Sequence, residues 1–228
     1  MVVQISEPPV YDDDEETGGT TSGWYDDEET GTTTTGWYKD GASSNWYYYG
    51  EDGTAVTGWL KDTDGRWYYL SADGAMKTGW HLDGDGKWYF LSGDGAMVAN
   101  AWYKDETSNR WYYLGADGAM KTDWHLDSDG KWYFLSTDGA MIANGWHKDE
   151  SSQRWYYLGA SGDMQTGWFT DADGKKYYLD KSSGAMVTGW FLDSDGKWYY
   201  FDKSGALYTN GTTPDGYKVD ENGAWIEE

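Results

Sequence analysis

Along most of this chain a short aromatic run such as Trp67-Tyr68-Tyr69-Leu70 is bracketed by Asp64-Gly65 before it and Asp73-Gly74 after it. Rings and aliphatics bounded by Asp-Gly predict a strand between tight turns. Successive strand residues alternate faces, so Trp67 and Tyr69 share one side and Tyr68 takes the other. A second indole opens each period: Trp37, Trp59, Trp80, Trp102, Trp124, Trp146, Trp168 and Trp190 follow one another at steps of 21 or 22 residues, most of them behind a glycine. Each period therefore predicts one β-hairpin, with Gly-Trp in the first strand and Trp-Tyr-Tyr or Trp-Tyr-Phe in the second. Trp80 to Asp123 matches Trp124 to Gly167 at 33 of 44 positions, so the hairpins were duplicated in pairs.

A lone hairpin is marginal in water, and units of this length gain stability only by stacking on their neighbours. The expected fold is all-β, a β-solenoid of stacked β-hairpin repeats of about 21–22 residues, with eight repeats over residues 36–210. After Trp190 the next Gly-Trp is replaced by Asn210-Gly211-Thr212, and residues 211–228 read as a C-terminal cap. Residues 1–35 hold Asp12 through Glu16, Asp26 through Glu29 and a threonine run, with little to bury, which predicts a solvated acidic linker in which Gly23-Trp24-Tyr25 is a degenerate repeat.

Composition supports thin layers over one thick core. The chain has 17 Trp, 21 Tyr, 5 Phe and 32 Gly, with no cysteine to supply disulfides or thiolate metal sites. The net charge of −23 repels phosphate backbones, so nucleic acid is not an expected partner, whereas small cations are drawn in. No run approaches a membrane span, and Met1-Val2-Val3-Gln4 opens no signal-peptide core, so the expectation is either that an export signal was removed or that the chain is released by cell lysis.

The recurring Thr-Gly-Trp, then Trp-Tyr-Tyr, then Asp-Gly-Ala-Met before the next Thr-Gly-Trp resembles the choline-binding, or cell-wall-binding, repeats of surface proteins and phage lysins. The resemblance covers about 190 of the 228 residues. Repeats of glucan-binding proteins and large clostridial toxins share the Tyr-Tyr, Asp-Gly and Thr-Gly elements. The second Trp of each unit, together with Met76, Met97, Met120, Met141, Met164 and Met186, favours choline over sugar. A trimethylammonium group donates no hydrogen bond, so ring faces and apolar walls must hold it. The resemblance implies cages made from the Gly-Trp indole and second Trp of one unit with an aromatic of the next, the methionines adding a wall. Taking that third ring two residues beyond the second Trp gives Trp37, Trp46 and Tyr69; Trp59, Trp67 and Phe90; Trp80, Trp88 and Tyr113. The same rule gives Trp102, Trp111 and Phe134; Trp124, Trp132 and Tyr157; Trp146, Trp155 and Tyr178. The middle tyrosines, such as Tyr68, Tyr89 and Tyr112, are expected to pack. Lys176 stands where the seventh second Trp belongs, which should exclude a cation, and the unit of Trp190 and Trp198 should lack a following hairpin to close its cage.

The resulting expectation is a non-catalytic anchoring module, extracellular and associated with the cell wall, holding choline or the phosphocholine of teichoic acid, with no cofactor and with terminal repeats able to pair two copies. A glycan-binding repeat and a ligand-free stalk are the alternatives. Asp83-Gly84-Asp85-Gly86 and its copies imitate a calcium loop, yet lack its closing Glu and flanking helices, so they read as hairpin turns. His81, His125 and His147 read as ordinary polar strand positions. Nothing resembles a nucleophile elbow, a phosphate loop or a zinc motif.

Overall fold

The computed structural model describes residues 35–227, so the acidic segment before Thr35 and Gly23-Trp24-Tyr25 lie outside the described residues. Every described strand pairs within an antiparallel hairpin. In chain order these are β1 (Gly36–Lys39) with β2 (Trp46–Tyr49), β3 (Gly58–Lys61) with β4 (Trp67–Leu70), β5 (Gly79–Leu82) with β6 (Trp88–Leu91), and β7 (Ala101–Asp105) with β8 (Arg110–Leu114). They continue with β9 (Asp123–Leu126) and β10 (Trp132–Leu135), β11 (Gly145–Lys148) and β12 (Trp155–Leu158), β13 (Gly167–Thr170) and β14 (Lys176–Leu179), β15 (Gly189–Leu192) and β16 (Trp198–Phe201), and β17 (Gly211–Thr212) and β18 (Lys218–Val219). No helix occurs among the described residues, and the stacked-hairpin architecture read from the periodicity is the one observed. The segment after Asn210 is itself a short hairpin.

Turn chemistry sets each hairpin. At the tip of β5 and β6 the Asp83 amide donates to the Lys87 carbonyl and the Gly86 amide to the Asp83 carbonyl, both at 3.0 Å, while Asp85 Oδ1 accepts from the Lys87 amide at 2.9 Å. Gly86 has φ +81°, which a side chain would oppose. A second turn follows the second strand: the Ser92 amide donates to the Ala96 carbonyl, and Asp94 accepts from both the Ser92 hydroxyl and the Ala96 amide.

The chain divides into two compact units, Met1–Lys121 with β1 to β8 and Thr122–Glu228 with β9 to β18. Within the first, backbone bonds tie each hairpin to the one before it: the Met76 amide donates to the Trp46 carbonyl, Met97 to Trp67 and Met120 to Trp88, at 2.7–2.8 Å. Leu70, Leu91 and Leu114 are completely buried beneath these ties. The second unit repeats the scheme, with Met164 donating to Trp132, Met186 to Trp155, Leu207 to Lys176 and Trp225 to Trp198. Its buried column is Leu135, Leu158, Leu179 and Phe201. Such a spine needs one large apolar residue per hairpin, which explains how a chain poor in aliphatics folds.

Rings stack beside the spine. Tyr69 lies 3.8 Å from His81 and Phe90 3.7 Å from Tyr103 between centroids; in the second unit Phe134 lies 3.7 Å from His147, Tyr157 4.0 Å from Phe169 and Tyr178 4.1 Å from Phe191. His81 and His147 thus occupy the register that Tyr103, Phe169 and Phe191 fill elsewhere, and they serve as stacked rings, contrary to the polar-strand expectation. Burial lowers the pKa of both; Lys77 pushes His81 the same way while Asp83 opposes, and Asp149, Asp123 and Glu150 oppose it at His147. The unfolded chain, with imidazoles near their ordinary value, binds protons first, so stability is lost as pH falls below about 6.5. We expect the melting temperature to drop between pH 7 and pH 5, and a His81→Phe, His147→Phe double variant to lose most of that drop; an unchanged slope in the variant would show that these rings are not its source. The turn carboxylates act lower, since Asp149 and Asp180, held at about 2 first by serine hydroxyls, lose their contribution only as pH falls from about 4 to 2.

Candidate functional site

Within each unit, a Gly-Trp indole that is followed by a further hairpin of that unit projects from its first strand toward it. Within the first unit Trp37 meets Tyr68, Trp59 meets Tyr89 and Trp80 meets Tyr112, all with centroids 4.9 Å apart and rings 65–69° from parallel. In the second unit Trp124 meets Tyr156 at 4.8 Å, Trp146 meets Tyr177 and Trp168 meets Tyr199 at 4.9 Å. The second Trp of the same hairpin stands nearly perpendicular to the first: Trp80 and Trp88 lie 6.4 Å apart at 82°, and Trp124 and Trp132 6.5 Å apart at 81°. Trp46, Trp67, Trp88, Trp132, Trp155 and Trp198 are exposed, so these corners open to solvent.

The ring that meets the first indole across the notch is the middle tyrosine of the following hairpin. The rings two residues beyond the second Trp face their own Gly-Trp indole across the hairpin: Tyr69 lies 5.2 Å from Trp59, Phe90 5.2 Å from Trp80, Tyr113 5.3 Å from Trp102, Phe134 5.2 Å from Trp124, Tyr157 5.3 Å from Trp146 and Tyr178 5.4 Å from Trp168. The groupings of Tyr69 with Trp37, Phe90 with Trp59, Tyr113 with Trp80, Tyr157 with Trp124 and Tyr178 with Trp146 are corrected accordingly. Strand alternation sends that position into the stack described above and turns the middle tyrosine toward the preceding hairpin. The middle tyrosines Tyr68, Tyr89, Tyr133 and Tyr199 are buried, while Tyr112 is half-buried, and the hydroxyls of the four buried ones donate to turn carboxylates: Tyr68 to Asp64 at 2.9 Å, Tyr89 to Asp85 at 3.2 Å, Tyr133 to Asp129 at 3.0 Å and Tyr199 to Asp195 at 2.8 Å. Burial, then the carboxylate, pushes Tyr89 up to about 12, so it remains a neutral ring.

The methionines follow the backbone ties to the second Trp. Met97 lines a cavity of about 630 Å³ with Trp59, Trp67 and Tyr89, whose rim includes Asp83, Arg66 and Asp117. Met76, Met97, Met141, Met164 and Met186 each lie against a turn glycine of the next hairpin; a Cβ at Gly95 would fall on the Met76 sulfur. Glycine there leaves the thioether its place beside the cage. In the eighth notch the short hairpin β17 and β18 supplies what the sequence did not predict: Tyr217 approaches Trp190 to 5.7 Å, and Trp190, Trp198, Tyr217 and Trp225 line a cavity of about 410 Å³ edged by Asp215. Trp225 takes the place methionine holds elsewhere, through the same backbone tie.

One set of functional side chains escaped the sequence reading. The Trp37 indole Nε1 donates to Asp62 at 2.9 Å, Trp59 to Asp83 at 3.0 Å, Trp80 to Asp105 at 3.0 Å, Trp168 to Asp193 at 2.9 Å and Trp190 to Asp215 at 2.7 Å. The bond fixes the indole and sets a carboxylate beside the notch. The Trp59 indole is the leading cause that holds Asp83 below the usual carboxylate range, and Trp168 does the same for Asp193, so both are ionised at neutral pH. Their visible signal was an Asp 24 or 25 residues after the indole, a regularity hidden among the turn aspartates.

The seventh notch departs from the rest. Lys176 pairs with Thr170 at the register where Trp155 pairs with Lys148, and its carbonyl accepts the same tie, here from Leu207. Without a second indole Trp168 is 42% exposed, the most open Gly-Trp ring among the described residues.

Stacked hairpins with aromatic corners, a thioether wall and an ionised rim define a repeat protein with concave apolar notches suited to organic cations. The chain belongs to the choline-binding repeat family, whose profile matches residues 34–78, 56–102, 106–146, 149–191 and 181–211. Among solved structures it is similar to CbpJ of Streptococcus pneumoniae (40% identity, TM-score 0.71, covering 80% of this chain and 62% of that one) and to choline binding protein F of the same organism (40%, 0.68, 80% and 61%). The choline-binding domain of pneumococcal CbpL is similar at 32% identity and TM-score 0.66, over 86% of this chain and 99% of that domain. This chain thus spans about three fifths of the length of CbpJ and CbpF. No curated protein sequence matches it.

Proposed function

We propose that this chain is a non-catalytic anchoring module that holds choline headgroups, the phosphocholine of cell-wall teichoic acid among them, in the notches between successive hairpins, and that it acts at the outer surface of the cell. The observation that carries this reading is the cavity of Trp59, Trp67, Tyr89 and Met97 edged by ionised Asp83. Three ring faces attract a quaternary ammonium, the thioether fits its methyl groups, and the carboxylate contributes long-range attraction without demanding a hydrogen bond. Each ring contributes roughly 0.5 to 2 kcal/mol, which after the costs of binding leaves an affinity of about millimolar per site. Several sites facing one polymer raise the apparent affinity by roughly 10² to 10⁴. The test is retention on a quaternary-amine resin in salt concentrated enough to screen the net charge of −23, with elution by free choline; passage through that resin with retention on dextran would overturn the reading in favour of a glycan binder.

The seventh notch supplies an internal control. Lys176 replaces the second indole by a side chain that carries an ammonium, which removes one ring face and repels a second cation, so that notch takes no choline. Lys176→Trp is expected to complete the wall with Trp168 and Tyr199 and raise the number of cholines bound per chain by one, read by calorimetry. An unchanged stoichiometry would show that the second indole is not what makes a notch competent.

A further inference from the structure

The residue directly across the hairpin from each exposed second Trp comes in two kinds. Lys39 faces Trp46 and Lys61 faces Trp67, whereas Leu82 faces Trp88 and Leu126 faces Trp132. The Lys39 ammonium lies 5.8 Å from the Trp46 ring centre and that of Lys61 6.0 Å from Trp67, within cation-π range. Lys61 is not among the side chains lining the cavity of Trp59 and Trp67, so it reaches the indole from outside the cage. Leu82 and Leu126, each 51% exposed, bring only hydrocarbon to that place.

We infer that the module carries two classes of site: lysine-flanked cages that select the phosphorylated headgroup, and leucine-flanked cages that select the bare cation. This rests on the choline reading above. A trimethylammonium held against Trp67 shares that ring with the Lys61 ammonium, and the two like charges repel. In phosphocholine the phosphate sits a few bonds from the ammonium and meets Lys61 as an anion, so the same side chain changes from a cost to an attraction. Of the other cations nearby, Arg66 pairs with Asp64 at 2.6 Å and Asp94 at 2.8 Å and Lys87 with Asp117 at 3.6 Å, while Lys77 lies over Tyr69, 5.7 Å from its ring centre. Lys39 and Lys61 pair with no carboxylate among the described residues. The rim aspartates Asp83 and Asp105 accompany a lysine-flanked and a leucine-flanked cage alike, so they cancel in the comparison.

The experiment is a titration of the whole chain with choline and with phosphocholine at low ionic strength, followed at the indole N–H resonances of Trp67 and Trp88. The preference for phosphocholine over choline is expected to be about threefold or more greater at Trp67 than at Trp88. Lys61→Leu, which installs the residue native to the neighbouring hairpin, should bring Trp67 down to the Trp88 preference, and Leu82→Lys should raise Trp88 to the other. Equal preferences at the two indoles, or a preference at Trp67 untouched by Lys61→Leu, would overturn the inference while leaving choline binding intact. Indoles unmoved by either compound would overturn the choline reading and this inference together.

Discussion

Trp132→Ala is expected to abolish choline binding in one notch and leave the fold as it was, whereas Trp124→Ala should abolish the same site and also cost about 2 to 4 kcal/mol of stability. The two indoles wall one corner, so losing either removes a ring face worth about a tenfold change in affinity at a site that is weak to begin with. Their surroundings differ. Trp132 is 41% exposed, and its backbone carbonyl, which accepts from the Met164 amide of the next hairpin, survives truncation. Trp124 contacts Phe134, His147 and Tyr156 as well, so its loss opens a gap between two hairpins. Calorimetry should count one choline fewer in both variants, and thermal melting should separate them. Full stoichiometry in Trp132→Ala would sink the assignment of this corner as a site; a large loss of stability in that variant would show that the exposed indole is structural.

Periodicity made the fold legible because the forces that build it are local. A turn needs Asp-Gly where φ is positive, a strand needs alternating rings, and both recur within one hairpin, as at Asp85-Gly86 and Trp88-Tyr89-Phe90. Lys176 was legible as an exception for the same reason, since a departure from a repeat stands out. What escaped depended on the contact between hairpins. Alternation divided Tyr68 from Tyr69 correctly, but which face meets the preceding hairpin follows from how the spine leucines seat, and that is set by Leu70 and its counterparts across the stack. The rim aspartates were hidden because turn chemistry already explained them; only the indole of the preceding hairpin gives Asp83 a second role. The closing hairpin was missed because it shortens its strands to two residues each and replaces Met with Trp225, so the pattern that marks a repeat is absent while its geometry persists.

Spine and notches are coupled, and the coupling can be measured at Leu158. This side chain is completely buried among Tyr156, Ala185, Trp124, Phe134, Ile142 and Met164, three of which wall or support the notch of Trp124 and Trp132. Leu158→Ala is expected to cost about 3 kcal/mol, the ordinary penalty for truncating a fully buried leucine, and Leu158→Met less than about 1.5 kcal/mol because volume is kept. Since each hairpin buries its face only on its neighbours, the gap should loosen Tyr156 and Met164 where they meet Trp124, so choline affinity at that notch falls although no wall residue is changed. Notches of the first unit, with their own spine at Leu70, Leu91 and Leu114, should keep theirs. Hydrogen exchange should show faster opening in the amides of β11 and β12, and saturating choline should recover part of the lost melting temperature, because a ligand that binds only the folded notch stabilises it by mass action. Equal affinity at the Trp124 notch in Leu158→Ala, despite the lost stability, would show instead that the aromatic corner is rigid on its own and independent of the leucine beneath it.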